Sequence, residues 1–133
     1  MEETKKKVAL VTGASSGIGR AISARLLALG YEVYGIGRQF PAELPAAFHP
    51  IVCDLLDTRK LPGVVAALQK EWKQEKRTLA LLVNNAGTAY YGLHEELRPE
   101  SISEMVRVNL EVPMLLTQQL LRTLKQNHGA IIN

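Results

Sequence analysis

Three glycines at positions 13, 17 and 19, set between an apolar run and an amphipathic one, constrain this chain more than any other feature. The segment reads Thr12-Gly13-Ala14-Ser15-Ser16-Gly17-Ile18-Gly19. Before it, Lys7 to Val11 form a short apolar run that predicts a buried strand. After it, Ile18, Ala21, Ile22, Leu26 and Leu29 recur at helical spacing, and Gly30 stands where a C-cap glycine belongs. A strand that enters a helix through such a turn has a specific use. Gly13 permits the tight turn, while Gly17 and Gly19 let backbone approach a pyrophosphate and let the helix lie close to the sheet. The helix N-terminus then offers free N–H groups and its positive dipole end to the phosphates. Ser15, Ser16 and Ile18 belong to the same turn and are candidate contacts.

The rest of the chain repeats the alternation. Strands are predicted at Glu32 to Ile36, His49 to Cys53, Leu79 to Val83 and Gly129 to Asn133. Leu61 to Lys76 is an amphipathic helix with Val64, Val65, Leu68 and Trp72 on one face. Residues 100–127 are mostly helical, with an irregularity near Asn109 and Pro113. Residues 39–48 hold Pro41 and Pro45 and read as a loop. At least three strands are continuous apolar runs, which calls for a parallel α/β sheet covered on both faces. With 133 residues and no repeat or linker, residues 1–133 read as part of one domain.

Several functions are disfavoured. A net charge of +3, with Lys5-Lys6-Lys7 as its longest basic run, is too weak and scattered for nucleic acid. Cys53 is the only cysteine, so no internal disulfide can form, which fits a reducing compartment, and the thiol reads as buried and inert. The N-terminus lacks a signal-peptide core and no run is long enough to span a membrane, so a cytoplasmic protein is expected. His49, His94 and His128 are too far apart in sequence to suggest a metal site, and none is expected.

The glycine spacing is G-x-x-x-G-x-G, and Asn84-Asn85-Ala86-Gly87 follows the fourth strand. Together these resemble the short-chain dehydrogenase/reductase family over essentially the whole chain. The resemblance implies a Rossmann-type doubly wound sheet of order 3-2-1-4-5, truncated here before its last strands. It also implies that Asp54 and the adjoining Leu55 lie near an adenine ring, against the simpler reading of Asp54 as a turn residue. The Asn84–Gly87 segment would run beside the nucleotide riboses and brace the central helix, with the division of labour between Asn84 and Asn85 open. Asn109, in Val108-Asn109-Leu110, matches the family's helix asparagine, which anchors a water in the proton relay.

The end of the second strand selects between nicotinamide cofactors. An NAD enzyme places Asp or Glu there to hold the ribose hydroxyls. This chain has Gly37-Arg38 instead. Arg38 can grip a 2′-phosphate in a bidentate, charge-assisted contact, with Ser15 or Ser16 adding a hydroxyl. NADP(H) is therefore expected over NAD(H).

Hydride transfer to a carbonyl also needs a proton donor. In the family this is the tyrosine of Tyr-x-x-x-Lys, assisted by a serine. Four residues after Tyr31, Tyr34, Tyr90 and Tyr91 stand Gly35, Arg38, His94 and Glu95, so no tyrosine here qualifies. Asn109 is thus the one catalytic residue expected. The chain reads as the cofactor-binding part of an oxidoreductase acting on a small carbonyl or alcohol substrate, inactive alone. A non-catalytic NADP(H)-binding or interaction module is the alternative. Tyr90 and Tyr91 follow the fourth strand, where they either line the ligand side or pack the loop. Leu110, Val112, Leu115, Leu116, Leu120, Leu121 and Leu124 form a broad apolar band that reads mostly as core. In the family that this chain resembles, the equivalent helix also builds a subunit interface, which implies a homo-oligomer through the 110–126 helix, and a band this wide fits both uses.

Overall fold

The computed structural model describes residues 5–133. Five parallel strands, β1 (Lys6–Thr12), β2 (Glu32–Gly37), β3 (Phe48–Val52), β4 (Arg77–Val83) and β5 (Ala130–Ile132), form one sheet of order β3-β2-β1-β4-β5. The predicted order is the observed one. Helices α1 (Gly17–Ala28), α2 (Leu61–Gln74), α3 (Pro99–Val106) and α4 (Val112–Gln126) supply the crossovers.

Alternation along β1 sorts the core into two halves. Val8 and Leu10 face α2 and α4, joining Tyr34, Ile36, Leu61, Leu68, Trp72, Leu116 and Leu120 in one cluster. Ala9 and Val11 face the other way and meet Leu26 of α1 with Val33 and Phe48. Leu10, Leu116 and Leu120 are fully buried, and each such side chain contributes roughly 1.5–3 kcal/mol relative to exposure.

The predicted irregularity in the long helix is a π-helical turn at Arg107–Glu111 between α3 and α4. Pro113 explains it. Proline has no N–H for the carbonyl of Asn109, and its ring crowds that carbonyl, so the ladder widens and Val112 donates instead to Arg107. The apolar band splits accordingly. Val112, Leu116, Leu120 and Leu124 are core, whereas Leu110 and Leu121 are exposed.

At the strand N-terminal ends lies a polar cluster that sequence patterning does not reveal. Arg77 Nη2 stands 3.1 Å from Glu32 Oε1, and Arg77 also donates to the Tyr34 hydroxyl, which in turn donates to Glu71. His49 stacks on the Tyr34 ring at 4.3 Å, and Trp72 meets it edge-on. Burial, reinforced by the Glu71 carboxylate and opposed by Arg77, pushes the Tyr34 phenol up to about 12 from its ordinary 10. The neutral phenol is the folded form, so its contribution is complete below pH 10 and is lost as pH rises through 12. That contribution is on the order of 2 kcal/mol. Thermal melts between pH 10 and 12 should therefore show a steeper fall in Tm for the native protein than for Tyr34→Phe. Parallel curves would remove Tyr34 as the cause.

Candidate functional site

At the opposite, C-terminal ends of the strands a cleft of about 420 Å³ opens. It is lined by the glycine turn, by the end of β2 with Arg38, by Cys53 to Leu56 after β3, and by Asn85 to Thr88 after β4. Tyr90, Glu104 and Val108 close it on the side of α3.

The glycine turn is built as a close approach. Gly13 and Gly17 have φ of +65° and +53°, a region unfavourable to residues with a Cβ. A Cβ on Gly19 would sit 1.9 Å from the Gly13 carbonyl oxygen and 2.5 Å from Asn85 Nδ2, so only glycine lets α1 start here. Helix α1 opens at Ser16 with no side-chain cap and no acidic residue in its first turn. Its leading N–H groups and dipole are thus left available for an anion.

Two residues lock this turn to β4. Thr12 Oγ1 accepts the N–H groups of Asn85 and Ala86 at 3.1 and 2.9 Å. Asn85 Nδ2 donates back to the carbonyls of Thr12 and Gly13 at 3.2 and 3.3 Å. Asn84 points elsewhere. Its backbone N–H bonds Ile132 and its side chain bonds Asn133, tying β4 to β5. The choice left open by the sequence is therefore divided, with Asn85 in the cleft and Asn84 in the sheet. Thr12 joins the site beyond the residues that the sequence motif marks, its signal being a hydroxyl at the end of the strand feeding the turn.

On the next edge, Gly37 lies so near Ser15 that an added Cβ would stand 2.9 Å from Ser15 Oγ. The Ser15 hydroxyl and the exposed Arg38 thus flank one corner of the cleft. Among the described residues, no carboxylate forms an ion pair with Arg38. Asp54 Oδ1 accepts the Leu56 N–H at 3.0 Å, a turn-forming contact, while Asp54 and Leu55 still line the cleft. Cys53 is buried, and that burial raises its thiol pKa, in keeping with an unreactive side chain.

Asn109 sits within the π turn and spends its side chain on Thr88, accepting the Thr88 N–H and donating to the Thr88 carbonyl, both at 2.8 Å. This double bond pair holds the strand of backbone after Gly87 against α3. Of the two tyrosines, Tyr90 lines the cleft and Tyr91 is 92% exposed. His94 is exposed in a short 3₁₀ turn, and His49 belongs to the distant Tyr34 cluster.

A parallel sheet of this order, with a glycine turn and an uncapped helix at its switch point, defines a dinucleotide-type cleft. The profile of the short chain dehydrogenase family matches residues 7–133, and the chain belongs to that family. It is 38% identical over 122 residues to an NADPH-dependent 3-dehydrocapnine reductase from Ornithobacterium rhinotracheale, covering 86% of this chain and 42% of that protein. Among solved structures it resembles a short-chain dehydrogenase from Leptospira borgpetersenii with bound NAD+, with a TM-score of 0.83 and 26% identity, covering 97% of this chain and 51% of the other. A metagenomic short-chain oxidoreductase in complex with NADP gives a TM-score of 0.79 at 29% identity, covering 97% and 61%. The chain spans about half the length of the curated relatives it matches. Among the described residues, no helix is long and apolar enough to cross a membrane.

Proposed function

We propose that this chain forms the cofactor-binding portion of an NADP(H)-dependent oxidoreductase that interconverts a carbonyl and an alcohol. The bound nicotinamide would supply or accept the hydride. The observation that carries the reading is the corner formed by Gly37, Ser15 and Arg38, where a hydroxyl and a guanidinium stand together and no carboxylate occupies the end of β2. A 2′-phosphate matches that donor set in charge and geometry, and a bare ribose diol brings no charge to match the guanidinium.

The remaining residues take roles by position. Gly13, Ser16, Gly17, Ile18 and Gly19 present backbone N–H groups and close approach to the pyrophosphate. Asp54 and Leu55 flank the adenine, and Asn85, Ala86 and Gly87 border the riboses. Asn109 is a positioning residue whose side chain holds Thr88, while its backbone carbonyl, to which Pro113 cannot donate, is the group assigned to hold a water. Fluorescence titration with NADPH and NADH tests the reading. Tighter binding of NADPH is expected, and equal affinities would exclude the assigned role of Arg38. The relative from Ornithobacterium rhinotracheale is an NADPH-dependent reductase, which supports this reading.

The partner reading is a second copy of the chain. Ile102, Val106, Leu110 and Met114 are exposed apolar residues spaced four apart along α3, the π turn and the start of α4, forming a ridge on the side away from the core. A homo-oligomer follows from this reading. Met114→Lys should weaken self-association by at least tenfold, seen as a loss of the larger species in size-exclusion chromatography with light scattering. An unchanged mass distribution would place the interface elsewhere.

A further inference from the structure

Tyr90 belongs to none of the motifs above, yet its side chain forms part of the cleft wall. It is held from two directions by α3. Its hydroxyl donates to Glu104, and its backbone N–H points to Met105 Sδ at 3.4 Å. Tyr90 is 41% exposed and lines the cleft, with its hydroxyl anchored at the tip. Glu104 and Val108 share this wall, and Asp54 and Leu55 line the same cleft from the end of β3. The Glu104 carboxylate holds the Tyr90 phenol above its ordinary range, partly offset by the positive charges of Arg98 and Arg38. Tyr90 lines the same cleft as Arg38 after β2 and Asp54 and Leu55 after β3.

We infer that Tyr90, latched by Glu104, is a side wall of the adenosine subsite and rests its ring against the purine. The inference rests on the dinucleotide reading above. An aromatic face is suited to this because every purine presents a π surface, and an anchored ring loses little freedom on binding. Glu104 acts through Tyr90 and is a positioning residue.

The test uses two probes on the purified protein, NADPH and adenosine 2′,5′-bisphosphate, which carries the adenosine half alone. Tyr90→Ala should weaken both by about tenfold, the usual scale for losing one base-stacking aromatic. Tyr90→Phe should stay within about threefold, because the ring remains. Glu104→Ala should weaken both probes about threefold, and adding it to Tyr90→Ala should cause no further loss, since the carboxylate then has no ring to hold. Glu104→Gln, which still accepts from the phenol, should recover most of the affinity. Unchanged binding of adenosine 2′,5′-bisphosphate by Tyr90→Ala would overturn the inference, as would equal losses for Glu104→Gln and Glu104→Ala. Failure of the unaltered protein to bind either probe would instead overturn the dinucleotide reading itself. Tyr90 and Glu104 lie outside both core clusters, so melting temperatures should stay near that of the unaltered protein.

Discussion

Arg38→Asp is expected to invert the nucleotide preference, changing the ratio of NADPH to NADH affinity by about a hundredfold or more. Two effects act in the same direction. The guanidinium contributes charge-assisted hydrogen bonds to a 2′-phosphate, each worth roughly 1.5–3 kcal/mol. The aspartate that replaces it repels the phosphate dianion and accepts hydrogen bonds from a free ribose diol. Arg38 is exposed beside Gly37, and among the described residues it holds no carboxylate that the substitution would orphan. Fold stability should therefore change little, and the whole effect should appear in binding. Paired titrations of the native protein and the variant with NADPH and NADH decide the matter. A ratio that survives the substitution would assign phosphate recognition to other residues.

Gly19→Ala carries the largest expected cost to stability. The new Cβ would lie 1.9 Å from the Gly13 oxygen, a backbone atom that cannot swing aside, and 2.5 Å from Asn85 Nδ2. Relief requires α1 to move off the turn. That movement opens the contacts by which Asn85 and Thr12 tie the turn to β4. A loss of about 3 kcal/mol is expected, on the order of 10 °C in Tm. Nucleotide binding should fall with it, because the glycine turn and Asn85 line the cleft. Differential scanning calorimetry measures the first and titration the second. A melting temperature within a degree or two of the native value would show that the turn can relax at little cost.

Much of the fold is legible in the sequence. Glycine positions, helical spacing and apolar runs are local properties, and they located β1, α1, β2, α2 and β4 to within a few residues. The π turn was partly legible because Pro113 cannot donate a hydrogen bond wherever it stands. The asparagines were not separable, since Asn84 and Asn85 are adjacent and chemically identical. Their roles diverge only because successive residues at the end of a strand point to opposite sides, one to β5 and one to the glycine turn. The apolar band on α4 was also read too uniformly. Six residues separate Leu110 from Leu116, about a third of a turn round a regular helix, and Leu110 and Leu121 are exposed while Leu116 is buried.

The sequence by itself determined that this chain turns from a strand into a helix through glycines, and that the strand beside it ends on a guanidinium rather than a carboxylate. Those features depend on neighbouring residues, whose geometry is set by short-range sterics and by charge. Tertiary structure alone decided which distant groups meet. Thr12 with Asn85 and Arg77 with Glu32 are contacts made across crossovers, while Asn109 with Thr88 and Tyr90 with Glu104 fold the connection between β4 and β5 back on itself. Their partners are selected by how strands pair and helices lie on the sheet, which no local spacing encodes.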